Sequence, residues 1–270
     1  MATVPSGFCF GLQHITIDFF ATSKKEIEPF FLVTKWSNGD FEKMLAAQGF
    51  SYSYSWLGMF SRKLDWFYLK MSLEAFVKLP ALYTSYLKLI KKHKPDILFF
   101  ANHHELILLL PVLWITKIKV VCHMHDPSPA IPFQIKTFKQ YGKRVDKFIA
   151  ISNSVKDRLM QLGCSTNKIT VVPNGIHLPD LIVGRKFQFI QSAGWKASDF
   201  IIGITGQMTE TKGHEDVIEA FELAYKNNKQ LRLVIGGKPL EPYYSHLQEL
   251  VINKGLKQVV LFSGWLKDAN

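Results

Sequence analysis

Residues 200–221, FIIGITGQMTETKGHEDVIEAF, constrain the fold more tightly than any other stretch of the chain. An apolar, mostly β-branched run (Phe200, Ile201, Ile202, Ile204) stops at Gly206. A polar stretch follows, with Thr209, Thr211, Lys212 and Gly213. Val217, Ile218, Phe221 and Leu223 then recur at helical spacing, with His214, Glu215 and Asp216 in the first turn. Strand, glycine turn, lysine, helix is the repeating unit of α/β proteins. A glycine at such a turn lets the backbone approach an anion, and the free N–H groups of the helix start point towards it. A lysine there supplies a mobile full charge to a phosphate oxygen. The same residues also suit an ordinary βα turn with a solvated lysine, and on local pattern alone both readings stand.

Two neighbouring stretches have the same grammar. Lys147 to Ile151 reads as a strand, with Ser152 as the N-cap of a helix that carries Val155, Leu159, Met160 and Leu162 and ends at Gly163. A strand from Ile169 to Val172 then meets Pro173, Asn174 and Gly175, a strong turn signal. Downstream, LRLVIGGKP (231–239) precedes a helix and the strand VVLFSGW (259–265). Further upstream, Phe30 to Thr34 is a clear strand, and so is Asp96 to Phe100. The N-terminus is less regular. Ser6 to Gly11 reads as a turn and is followed by a helix through Ile15, Ile17, Phe19 and Phe20. The strand expected before that turn is missing, or is crudely replaced by Met1 to Val4.

Composition fits a soluble α/β protein. At 270 residues and 47% apolar content the chain can build two domains, or one large and one partial domain. The formal charge of +11 is uneven: residues 1–183 hold 22 basic against 13 acidic residues (+9), and residues 184–270 hold 11 against 9 (+2). Zinc spacing, RNA-recognition signatures and arginine-rich runs are all lacking, which speaks against nucleic acid as the partner. A solvated lysine surface and an anionic membrane surface remain. Residues 56–94 favour the membrane, since Trp56, Met59, Phe60, Trp66, Phe67, Tyr68, Leu69 and Met71 are interleaved with Arg62, Lys63 and Lys70 and followed by Lys88, Lys91, Lys92 and Lys94. A basic amphipathic helix of this kind lies in a membrane interface or packs its aromatics into a core.

The longest apolar run, Leu106 to Ile115, is too short to span a bilayer and contains Pro111. The start, MATVPSGFCFGLQHI, lacks the basic and long apolar regions of a secretory signal. Cys9, Cys122 and Cys164 are odd in number and widely spaced, which suits neither a disulfide framework nor a zinc site. A reducing cytoplasm is the simplest setting.

In order along the chain, Asp146, Ile149, Ile151, Ser152, Gly163, Lys168, Ile169, Val172, Pro173, Asn174 and Gly175 are followed by Gly203, Gly206, Lys212, Gly213 and Ala220, then by Gly236 and Gly264. This ordered set resembles the GT-B glycosyltransferases, in particular the retaining enzymes of family 4. The resemblance implies two Rossmann-like domains, an N-terminal acceptor domain over 1–183 and a nucleotide-sugar donor domain over 184–270. Asn270 falls just past the last matching strand, and the family's later pair of glutamates, which contact donor sugar and ribose, has no counterpart. The donor domain is therefore expected to be incomplete, the chain being a fragment or a degenerate relative.

The implied activity is transfer of a sugar from a nucleotide-sugar donor to a carbohydrate or lipid-linked acceptor in polysaccharide or glycolipid biosynthesis. Retention of configuration is expected, with no metal and no cofactor beyond the co-substrate. The sequence has no Asp-x-Asp pair, the usual metal-binding signature of the other major transferase fold. In the mechanism most often proposed for the family, no protein nucleophile is needed, and the departing diphosphate accepts the acceptor's proton. By resemblance Lys212 holds the diphosphate beside Gly206, Gln207 and Gly213, while Gly236, Gly237 and Trp265 border the nucleotide base. Gln207 stands where the family usually has an arginine, and it carries no charge for phosphate.

On the acceptor side, KVVCHMHDPSP (119–129) ends a strand at His123, His125 and Asp126. His125 matches the family histidine that approaches the donor sugar, and Asp126 the aspartate that often follows it. Otherwise His125 is a structural residue capped by its neighbours, with His123 on the opposite side of the strand. Gly7 partly matches the family's paired glycines. His103 lines the cleft between domains, or Asn102 simply caps a helix that starts there. The competing function is a non-catalytic binding or scaffold protein. The expected location is cytoplasmic, peripheral at the inner face of a membrane.

Overall fold

The computed structural model describes residues 1–4, 11–57, 65–126, 130–175, 190 and 193–264. The chain divides into two compact units, Met1–Ile176 and His177–Asn270.

In the first unit, strands β1 (Ala2–Thr3), β2 (Phe30–Thr34), β3 (Ser51–Ser55), β4 (Ile97–Phe100), β5 (Lys119–Met124), β6 (Lys147–Ala150) and β7 (Ile169–Val171) form one sheet. Its order is β3-β2-β1-β4-β5-β6-β7 and every pairing is parallel. The strand that sequence pattern left doubtful is therefore present and central. Ala2 pairs with Phe31 on one side and Phe99 on the other. Phe99 N–H donates to the Met1 carbonyl at 2.8 Å and Ala101 N–H to the Thr3 carbonyl at 3.1 Å. The chain runs outwards from β1 to β3, then returns to β4 on the other side, which puts the topological switch point between β1 and β4.

Alternation along each strand supplies both faces of the sheet. Leu32, Leu98, Phe100 and Cys122 face one cluster, with Tyr86, Phe138 and Leu159. Phe31, Val33 and Phe99 face a second, with Ile17, Phe20, Phe41 and Leu45. Helices α1 (Gly11–Thr22) and α2 (Asp40–Ala47) serve the second cluster. Helices α3 (Trp66–His93), α4 (His103–Ile115), α5 (Pro132–Arg144) and α6 (Asn153–Gln161) serve the first. The expected caps are in place: Asn102 accepts from His104 N–H, and Ser152 from Val155 N–H, both at 3.2 Å.

The motif residues of this unit act largely as fold fasteners. Asp146 accepts from Val120 N–H at 2.8 Å. The Arg144 guanidinium reaches Asp146 and donates to the carbonyls of Leu113, Thr116 and Ile118, tying the end of α4 to the start of β5. Lys168 donates to the carbonyls of Gly142 and Val145, both at 2.7 Å, and closes the end of α5.

In the second unit, β8 (Phe200–Thr205), β9 (Leu231–Gly236) and β10 (Val260–Gly264) form a parallel sheet of order β10-β9-β8. Helices α7 (His214–Asn227) and α8 (Tyr243–Asn253) connect them. Ile218, Phe221, Leu233, Ile235, Leu247, Val251 and Val260 make its core. Asp199 is buried beneath the start of β8 and pairs with Arg232 at 3.1 Å. Among the described residues no helix is long and apolar enough to cross a membrane.

Arg144→Met should lower the unfolding free energy by about 2–4 kcal/mol, because it strands the carbonyls of Leu113, Thr116 and Ile118 in one step. Urea denaturation followed by circular dichroism measures this.

Candidate active site

In the first unit the chemistry-bearing side chains gather at the carboxyl ends of β4 and β5, beside the switch point. Asn102, His103, His104 and Glu105 open α4, while His123 lies near the end of β5 and His125 and Asp126 follow it. His123 and His125 are on the same side of the chain: His125 Nε2 lies 3.2 Å from His123 Nδ1 and the ring centroids are 4.1 Å apart. The expectation of opposite sides is thus corrected. Residues two apart on a strand share a face.

Burial governs the ionisation of this cluster. His103, packed on the Phe138 ring, is pushed down to about 3 by desolvation and by the neighbouring His104. His123, near the rings of Phe19 and Phe99, is pushed down to about 4 by desolvation and then by His125. His104 and His125 are also lowered by burial, but Asp126 opposes the shift in both, so that carboxylate faces both histidines. The result is a set of neutral imidazoles, which can donate to and accept from hydroxyl groups without adding charge.

Glu105 sits just beneath. It is buried, Oε2 has no partner, and burial lifts its carboxyl to about 8, with its own main-chain N–H opposing. Nearby, Tyr86 and Thr3 share a buried hydrogen bond of 3.0 Å. A concavity of about 520 Å³ lies at the carboxyl ends of β2 and β3, lined by Lys35, Ser37, Asn38, Gly39, Glu42 and Tyr54. Sequence pattern pointed to neither feature. Gly7 lies outside the described residues.

In the second unit the site is built from glycines. Gly206 N–H donates to the Gly236 carbonyl at 3.0 Å, and Gly237 N–H to the Gly264 carbonyl at 2.8 Å, so the ends of all three strands are laced together. Gly237 has φ +140, and a Cβ there would fall 1.7 Å from the Gly206 carbonyl oxygen. Only glycine fits. After Gly206, the Gln207 carbonyl accepts from Thr209 N–H, and Met208 is buried with its N–H on the Lys238 carbonyl at 3.0 Å. A 3-10 turn, Glu210–Lys212, leads to Gly213 at φ 69 and into α7.

Lys212 folds back over Gly206, with Cγ 3.8 Å from where a Cβ on that glycine would lie. It is exposed, and among the described residues its ammonium has no ion pair or hydrogen bond. His214, beneath the turn, is fully buried and neither ring nitrogen has a hydrogen-bond partner. Desolvation lowers its pKa and Lys212 lowers it further, with the Thr209 main chain opposing. Glu215 and Asp216 occupy the first turn of α7 and offset the positive end of its dipole. Positive charge at this turn therefore comes from side chains, Lys212 over Gly206 and Lys238 after Gly237. Gly206, Gln207, Lys212, Gly213, Gly236 and Gly237 come together as expected, and Trp265 lies outside the described residues. Among the described residues no three His, Cys, Asp or Glu side chains are grouped to hold a metal ion.

Residues 64–179 match the Glycosyltransferase Family 4 model, and residues 185–270 match Glycosyl transferases group 1. No curated protein matches the chain in sequence. Among solved structures, Anabaena Alr3699/HepE in complex with UDP superposes with a TM-score of 0.74 at 17% identity, over 99% of this chain and 69% of that one. A glycosyltransferase from Rickettsia africae ESF-5 gives 0.70 at 20% identity, over 99% and 68%. The lipopolysaccharide outer core galactosyltransferase WaaB in its apo form gives 0.60 at 18% identity, over 98% and 68%.

Two tests follow from this geometry. Gly237→Ala should destabilise the second unit by about 3 kcal/mol or more, since backbone must move to admit the methyl group; hydrogen exchange along β8–β10 reads this locally. Glu105→Gln should flatten the pH dependence of stability. The folded pKa is raised, so the unfolded chain ionises first and stability falls as pH rises from the ordinary carboxylate value to about 8. Melts at about pH 5 and about pH 8 should differ less in the variant, by on the order of 3 kcal/mol.

Proposed function

We propose that this chain, which belongs to the GT-B glycosyltransferases of family 4 (glycosyl transferases group 1), transfers a sugar from a uridine diphosphate donor to a carbohydrate or lipid-linked acceptor with retention and without a metal. The observation that carries this reading is the unpaired Lys212 ammonium folded over the laced glycine turn. A diphosphate needs close backbone approach and a cation that is not already neutralised, and this turn supplies both. UDP as the nucleotide is suggested by the complexes of the Anabaena protein with UDP and with UDP-glucose.

In this mechanism the bond between the anomeric carbon and the diphosphate breaks, and negative charge develops on the leaving oxygens. Lys212 and the first-turn N–H groups of α7 stabilise that charge. The acceptor hydroxyl attacks from the same face, and its proton passes to the departing diphosphate. His125, held neutral, hydrogen-bonds the reacting sugar, with Asp126 and His103 next to it. Gly236, Gly237 and Trp265 border the base, and Gly7 belongs to the acceptor side. The setting is cytoplasmic, with the acceptor presented at the inner face of a membrane. A second reading, a nucleotide-binding protein without turnover, is favoured by Gln207, whose side chain brings no charge to the diphosphate.

A thermal melt with and without millimolar UDP or GDP tests the donor site. At a ligand concentration a hundredfold above Kd the expected stabilisation is about 2.7 kcal/mol, larger for UDP than for GDP. Lys212→Ala should abolish the shift and keep the unliganded melt. Absence of a shift from folded wild-type protein would end the donor reading; a shift without sugar transfer to any acceptor would select the second reading.

A further inference from the structure

Helix α3 changes character along its length. Its second half is a core helix: Leu82 and Tyr86 are fully buried, and Leu79, Tyr83, Leu87 and Ile90 pack against the same cluster. Its first half turns large apolar groups outwards. Trp66 is 79% exposed, Leu73 and Phe76 65%, Val77 68% and Leu69 45%. Their spacing of three and four residues puts them on one stripe, and among the described residues of this half it is small Ala75 that is buried, with Met71 and Ser72 half-buried. A helix that buried its apolar face would show the reverse pattern.

The same stripe continues through Pro80 and Thr84 to Lys88 and Lys91, both exposed, as are Lys70 and Lys92. The helix holds five lysines and one glutamate, a balance of +4. Glu74 is neutralised by Lys78, whose ammonium also lies 3.6 Å from the centre of the Trp56 ring. An apolar stripe with a tryptophan at one end and lysines at the other thus lies on the exposed side of the helix.

We propose that this face of α3 docks on an anionic lipid bilayer. Trp66, Leu69, Leu73, Phe76 and Val77 enter the boundary between headgroups and acyl chains, and Lys70, Lys88, Lys91 and Lys92 meet the lipid phosphates. Charge selects the occupant. A second copy would bring an equally cationic face against this one, whereas a bilayer offers apolar depth and negative charge together. The inference gives the proposed lipid-side acceptor its surface but does not depend on the donor site, so either can fail alone.

The test is co-sedimentation of the full chain with vesicles of phosphatidylcholine alone or mixed with phosphatidylglycerol, at low and high salt. Binding to the anionic vesicles should be at least about tenfold stronger and should weaken with salt. Leu73→Gln with Phe76→Gln should weaken it about tenfold or more while leaving the melt and the UDP shift unchanged. Lys88→Gln with Lys91→Gln should weaken it several-fold and remove much of the salt dependence, a second arm that leaves the apolar stripe untouched. Equal binding to both vesicle types, no binding, or binding indifferent to both double variants would overturn the proposal. So would vesicle-free self-association that the Leu73/Phe76 variant abolishes, which would assign the face to a second copy.

Discussion

The first unit depends on a strand of two residues. β1 supplies hydrogen bonds to β2 on one edge and β4 on the other, joining a pair of strands to a group of four. A parallel strand in that position must be bonded on both sides and buried on both faces, and Ala2 and Thr3 meet this with small side chains. The Thr3 hydroxyl is satisfied by Tyr86 of α3, so the central strand also fixes the helix crossing beneath it. Chain direction reverses at β1, and the loops after β4 and β5 open next to that reversal. The histidine cluster is therefore a consequence of topology before it is one of chemistry.

The second unit rests on a comparable constraint, the contact between Gly237 and the Gly206 carbonyl. Two strand-to-helix turns that approach so closely leave no room for side chains between them, and the N–H groups of Gly206, Met208 and Gly237 lace the turns to one another. Lys212 is then held over this floor by the 3-10 turn and by the left-handed Gly213. The acidic first turn of α7 matters here. A helix start worth about half a positive charge is outweighed by two carboxylates, so positive charge for an anion has to come from lysine side chains, Lys212 on the turn and Lys238 after Gly237. Anion affinity at this turn should track these side chains more than the helix itself.

Much of this was legible in the chain and some was not, for identifiable reasons. β2, β4, β6, β8 and β9 stand out because their apolar runs are bounded by glycine, proline or capping residues, and Asn102 and Ser152 cap as their types suggest. β1 was nearly invisible, since two residues without a β-branched run carry no periodicity. Asp146 and Lys168, two of the residues that carry the family resemblance, hold strand and helix ends together, with Arg144 beside Asp146. His123 and His125 come together because residues two apart share a face, which the alternative of a structural His125 with His123 on the opposite side did not allow for. The approach of Gly237 to Gly206 joins turns 31 positions apart in number (237 − 206), and no local pattern reports such a contact. Glu105 reads as a helix-start acid, and only the packing of Tyr86 and Cys122 around it shows a carboxyl kept protonated. For α3, amphipathicity signalled a stripe but not whether it faced the core or the solvent.

The two units divide the charges in a way that suits glycosyl transfer. When the anomeric bond loosens, the diphosphate gains negative charge and the sugar ring becomes electron-poor. In the proposed transfer the leaving group would meet Lys212, whose ammonium has no ion pair among the described residues. The sugar would meet imidazoles whose pKa burial lowers, with Asp126 as the nearby carboxylate. A protonated histidine beside the ring would oppose the developing positive charge, and at the low effective dielectric of a partly buried site that opposition is worth several kcal/mol. Under the proposed transfer, burial of His103 and His123 does more than pack the end of the sheet, because it would keep the edge offered to the sugar free of positive charge. Gln207 fits the same division only in part. It removes a second cation from the leaving-group side and leaves departure of the diphosphate to Lys212 and the backbone.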